Sequence, residues 1–124
     1  MNPLPNREHE DRPWGAFDRF TLNEASTVKI VRVDAGKRLS LQRHQHRAEF
    51  WRVIEGTGVA RVGDEEIALS LGDEVAIPEG ALHRLTGGPA GIAVLEIALG
   101  TFDENDIERV EDDFGRGQPN SVAP

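Results

Sequence analysis

The chain has four histidines, and three of them, His44, His46 and His83, lie in its central part, while His9 lies near the N-terminus. His44 and His46 are two apart, a spacing that puts both imidazoles on one face of a strand. Glu49 follows closely and joins that face if the chain bends between them. Neutral imidazole with carboxylate suits Mn, Fe, Co, Ni or Zn without choosing among them. Cys is absent, so thiolate ligands and disulfides are excluded, and any divalent metal must be held by His, Asp or Glu. An isolated H-x-H pair is more often a surface accident than a site. Its weight here depends on the elements that surround it.

Those elements read as short strands. Val28, Ile30, Val31 and Val33 form a β-branched run ended by Asp34-Ala35-Gly36. Leu39 and Leu41 alternate with Ser40 and Gln42. Apolar runs follow at Phe50–Ile54 and Val59–Val62, the latter leading to Gly63-Asp64, a hairpin signal. Further strands are expected at Ile67–Leu71, at Val75–Ile77, closed by Pro78-Glu79-Gly80, and at Gly91–Leu99. Short strands punctuated by Gly and Pro predict an all-β sandwich or barrel. A helical turn is expected near Asp103–Ile107, with Asp103 as its cap. Residues 1–11, polar and without period, read as a mobile arm, and residues 117–124 as a mobile tail. The single folded domain is expected over 12–116.

The glycines, the proline and the histidines together resemble the cupin family. The first cupin motif is commonly G-x5-H-x-H-x3,4-E-x6-G. Here Gly36 is followed by seven residues, His44-Gln45-His46, two residues, Glu49, six residues and Gly56. The second is commonly G-x5-P-x-G-x2-H-x3-N. Gly72, Pro78, Gly80 and His83 fit it, and Gly87 stands at the final position. The resemblance implies a double-stranded β-helix (the cupin or jelly-roll barrel) with His44, His46, Glu49 and His83 around one divalent ion. With two residues between His46 and Glu49, a straight strand turns Glu49 away, so a bulge at Arg47-Ala48 is expected. Glu49, Trp51 and Val53 then face inward, with Arg52 in solvent and Phe50 partly exposed.

The segments RPWGAFDRF, LSLQRHQHRAEFW, ALHRL and DENDIERVEDDFGR are similar to a more particular family. It is the mannose-6-phosphate isomerase domain of bifunctional guanylyltransferase/isomerase enzymes, and the similarity runs over about residues 12–116. It implies a metal-dependent interconversion of mannose 6-phosphate and fructose 6-phosphate. Such a reaction moves a proton between C1 and C2 and needs a base and a cation near the oxygens that gain charge. Glu49, if free of the metal, and His83 are the catalytic candidates, with Glu96 a weaker third whose plainer reading is a solvent-facing strand residue. Arg12, Lys37, Arg38, Arg47 and Arg84 adjoin the shared motifs and are candidate phosphate hooks, because guanidinium matches phosphate oxygens. Trp14 is either a wall for a sugar face or a plug of the barrel. Two other readings stand beside this one: a non-catalytic metal-holding cupin that binds a sugar or small carboxylate, and a different metal-cupin reaction such as an Fe(II) dioxygenase.

Composition narrows the partners. The net charge is -8, from 22 acidic and 14 basic residues, which argues against nucleic acid and anionic membranes. A local basic pocket still permits a phosphosugar, since fields are screened over roughly 10 Å. No apolar run approaches the roughly 20 residues of a membrane span, and residues 1–13 lack a signal-peptide pattern, so a cytoplasmic protein is expected. Exposed sheet edges predict a homodimer, with Phe50 a candidate interface residue.

Overall fold

The computed structural model describes residues 3–116, and the tail expected over 117–124 lies outside them. The described residues form strands and turns without a helix. The strands are β1 (Glu8–Arg12), β2 (Gly15–Arg19), β3 (Ser26–Val33), β4 (Leu41–Arg43), β5 (Arg47–Val62), β6 (Glu65–Leu69), β7 (Glu74–Ile77), β8 (His83–Gly100) and β9 (Glu108–Glu111). β1 and β2 form an antiparallel hairpin, and the rest form one sheet along β6-β5-β8-β4-β9, with β3 on β8 and β7 on β5.

β5 and β8 are the frame. Their antiparallel register runs from Arg47↔Gly100 to Val62↔His83 and shifts twice, between Val53 and Glu55 and between Gly56 and Gly58. These shifts let both long strands fold over a corner. Glycine is required there: Gly56 has φ 74°, and a Cβ on it would collide with the Gly91 carbonyl oxygen. Gly63, at φ 59°, opens the expected two-residue hairpin between β5 and β6.

Alternation along these strands makes an interior of Val33, Trp51, Val53, Ala60, Leu69, Val75, Ile77, Leu85, Ile92 and Val94. Each of its Val, Leu and Ile side chains contributes about 1.5–3 kcal/mol when fully buried. A second cluster, Leu4, Phe50 and Ile97 with Phe20, Leu95 and Leu99 around it, lies apart from that interior.

That second cluster corrects one expectation. Phe50 faces away from the interior as foreseen, yet it is 4% exposed, because Leu4 and Phe20 cover it. The stretch read as an arm therefore contains a strand, β1, and a buried anchor, Leu4. The helical turn near Asp103–Ile107 is also replaced. Asp103 Oδ1 accepts the Asn105 amide at 2.9 Å, and the Asp106 amide bonds the Asp103 carbonyl at 3.0 Å. This single turn leads directly into β9, so the capping carboxylate closes a turn and no helix follows. Nor is there a bulge at Arg47-Ala48, where β5 pairs with β8 in continuous register. The chain bends earlier, at Gln45 and His46, between β4 and β5.

Candidate metal centre

Three chain segments meet at one end of the interior. Glu49 projects inward from the start of β5, on the same side as Trp51 and Val53. His83 opens β8 directly after the Pro78-Glu79-Gly80 turn, and His44 follows β4. One ligand atom from each of His44, Glu49 and His83 lies within 4.8 Å of the other two. All three residues are 3% exposed or less.

The ring protons are fixed by carbonyls. His44 Nδ1 lies 2.7 Å from the Asp106 carbonyl oxygen, and His83 Nδ1 lies 2.9 Å from that of Ala81. A carbonyl only accepts, so each ring carries a proton on Nδ1, and in the neutral imidazole Nε2 is then the lone-pair atom. His44 Nε2 stands 3.5 Å from Glu49 Oε2, and His83 Nε2 stands 3.4 Å from Glu49 Oε1. Neither His83 Nε2 nor Glu49 Oε1 has a hydrogen-bond partner. Buried acceptors facing one another without a donor cost free energy, and a cation between them removes that cost. The donor set therefore fits a divalent ion. Backbone carbonyls on the far ring nitrogens orient imidazole ligands in this way.

Electrostatics agree with that reading. Burial pushes the His44 imidazole below its ordinary pKa, more than Glu49 and the Asp106 carbonyl raise it, so His44 stays neutral and able to ligate. Burial opposes ionisation of Glu49, yet its neighbours His83, then His44 and Arg47, outweigh burial and hold the carboxyl below its ordinary pKa. Glu96 behaves oppositely: burial, then the Glu49 charge, push its carboxyl up to about 7. Trp51 Nε1 donates to Glu96 Oε1 at 3.1 Å, and the Trp51 ring lies edge-on to His83 at 5.8 Å. Glu96 is 8% exposed, not the solvent-facing residue expected.

The remaining candidates are scattered. His46 is exposed and stands outside the three-residue group, because the chain bends where a strand was expected to align it with His44. Arg47 enters the site: Nε donates to Glu49 Oε2 at 3.1 Å, Nη1 to the Asp103 carbonyl at 3.2 Å, and Nη2 to His44 Nε2 at 3.3 Å. Its guanidinium also lies over the Phe102 ring, 4.4 Å from the centroid. Arg84 is buried and faces away from His83, with Nε on the Leu39 carbonyl and Nη1 on Glu111. Arg38 forms a two-bond pair with Asp113, and Lys37 is exposed in the turn after Gly36. Arg12 and Trp14 sit on the β1–β2 hairpin, where Arg12 pairs with Glu10 and Trp14 is 74% exposed.

The signal that pointed to Glu96 was present. Ile92–Leu99 is apolar at all positions but Glu96, and such a continuous run is buried on both faces, its one carboxylate included. Asp106, which holds the His44 loop, carried no signal beyond its place in the expected turn.

Barrel and site together define a cupin, a double-stranded β-helix with a His/Glu group at one end of its interior. A solved cupin-2 domain from Rhodospirillum rubrum, Rru_A2000, matches with a TM-score of 0.60 at 22% identity, over 81% of this chain and 74% of its own. Residues 4–112 match the model of the family Mannose-6-phosphate isomerase C-terminal, and the chain belongs to that family. The Xanthan biosynthesis protein XanB of Xanthomonas campestris pv. campestris (strain B100) is 41% identical over 107 residues, 85% of this chain and 23% of XanB. The mannose-1-phosphate guanylyltransferase ManC of Salmonella typhimurium (strain LT2) is 37% identical over 107 residues, 85% of this chain and 22% of ManC. The chain thus spans less than a quarter of the length of these relatives.

Proposed function

We propose that the protein is a metal-dependent sugar-phosphate isomerase that interconverts mannose 6-phosphate and fructose 6-phosphate. The observation that carries this reading is the convergence of two imidazole Nε2 atoms and a carboxylate on one buried point. His44, Glu49 and His83 would hold the ion. Three protein ligands leave coordination positions open, as a catalytic site needs. When bound, a divalent ion supplies Lewis-acid stabilisation of negative charge on the sugar oxygens.

Glu49 and His83, both expected as catalytic, direct their free atoms at the ion position and serve as ligands in this reading. Glu96 is the neighbouring buried carboxyl left to carry the proton between C1 and C2. Its place beside Trp51 keeps it inside the barrel, with Glu49 close by. Arg47 is the one expected phosphate hook that reaches the site, which makes it the group to meet an anionic substrate. A cytoplasmic location and a two-fold dimer belong to the same proposal. Among the described residues β3 pairs only with β8, and exposed Val28 and Ile30 lie on it.

The test is turnover of mannose 6-phosphate by chelator-stripped protein with Mn, Co, Zn, Ni and Fe(II) returned singly. Turnover restored by metal and lost in His83→Ala establishes the isomerase. Ion binding without turnover moves the reading to a sugar-binding cupin.

A further inference from the structure

We infer that Arg47 holds the cation position in the ion-free protein, and that its guanidinium must release His44 before that site binds a divalent ion. The inference rests on the cation-site reading above. His44 has its one proton on Nδ1, committed to the Asp106 carbonyl. Its Nε2 therefore has a single lone pair, and Arg47 Nη2 donates into it at 3.3 Å. One lone pair serves either a guanidinium N–H or an ion. Ligation by His44 and this hydrogen bond exclude each other.

The rest of the Arg47 setting makes the exchange local. Nε to Glu49 Oε2 and Nη1 to the Asp103 carbonyl do not involve His44, and a carboxylate oxygen has more than one lone pair. The guanidinium also rests on Phe102, whose ring face attracts a cation. Release of His44 thus costs one hydrogen bond of three and part of the guanidinium's contact with the Phe102 ring. The His83 side of the site has no such occupant, since His83 Nε2 and Glu49 Oε1 are unpartnered. Arg47 therefore compensates half of the buried acceptor group, and its positive charge opposes a second cation in the same place.

The experiment is Zn²⁺ titration of the chelator-stripped full chain against a competing chelator, comparing wild type, Arg47→Met and Phe102→Leu. Loss of one charge-assisted hydrogen bond from the competing state predicts about tenfold tighter Zn²⁺ binding by Arg47→Met. Phe102→Leu keeps the guanidinium but removes its seat, and is expected to tighten binding by a smaller factor. Arg47→Met is also expected to melt lower than wild type without Zn²⁺ and to gain more from adding it. Equal or weaker Zn²⁺ binding by Arg47→Met overturns the inference. Where that variant does not fold without the ion, Phe102→Leu decides by the same criterion. Wild type that binds no Zn²⁺ overturns the cation site itself, whereas binding without tightening overturns only the role of Arg47.

Discussion

Asp106 accepts a 2.7 Å hydrogen bond from His44 Nδ1 through its main-chain carbonyl, so one residue of the turn before β9 sets the tautomer of a ring on the β4–β5 loop. Its carboxylate grips the same loop, with Oδ1 on the Gln45 amide and Oδ2 on the His46 amide, each at 2.9 Å. Asp106→Ala keeps the carbonyl but frees the loop. The expected outcome is roughly 10–100-fold weaker divalent-ion binding, as for other groups that orient a ligand. Stability falls by about 1–2 kcal/mol from the lost hydrogen bonds. Ion titration and chemical denaturation of the same sample read both effects. Unchanged ion affinity would show that the loop is held without the carboxylate.

His46 and His83 separate by the same logic. The cupin spacing treats them alike, but His46 is exposed while His83 is 1% exposed with its Nε2 on the ion position. His83→Ala is expected to reduce ion affinity by at least about 100-fold, through loss of a ligand and the buried group left behind. His46→Ala is expected to leave it within about twofold, the range of a surface change. Titration of both variants with one metal checks this. Comparable losses in both would mean that the 44–46 loop refolds around the ion and recruits the second imidazole.

What the sequence made legible was local. Gly72, Pro78 and Gly80 place His83 through turn chemistry within a dozen residues, and the structure keeps that placement. Glu49 was legible through alternation with Trp51 and Val53. Its inward direction survives although the bend lies at Gln45 and His46 and not at Arg47-Ala48. The surroundings of Phe50 were not legible, because its cover comes from Leu4 and Phe20, far away in the chain and without strand period. The intrusion of Arg47 was illegible for a related reason. It depends on where the Phe102–Asp103 turn returns after β8, and no spacing near Arg47 encodes that.

Leu4 is 1% exposed and packs on Phe50 and Ile97. Leu4→Ala removes most of that cover and leaves space that the sheet cannot close. A cost of about 2–3 kcal/mol follows, in the lower range for leucine truncation in a core. Denaturant unfolding measures it. A loss under about 0.5 kcal/mol would show that the N-terminal segment is not fastened to the sheet in solution.

Glu74 ties the same segment down by charge. Arg7 donates two hydrogen bonds to it at 2.7 Å each, and Arg52 donates a third. The Arg7 hydrogen bonds, partly opposed by burial and helped by Arg52, hold its carboxyl below the ordinary value of 4.5. A carboxylate with a lowered folded-state pKa binds fewer protons folded than unfolded, so its contribution is complete above 4.5 and disappears as pH falls through the folded value. The side chain is 27% exposed, and solvent screening limits the effect to about 1 kcal/mol or less. Urea unfolding across pH should show wild type more stable than Glu74→Gln at neutral pH, with the two curves converging on acidification. A gap that stays constant with pH would mean that Glu74 acts through shape and hydrogen bonding and not through its charge.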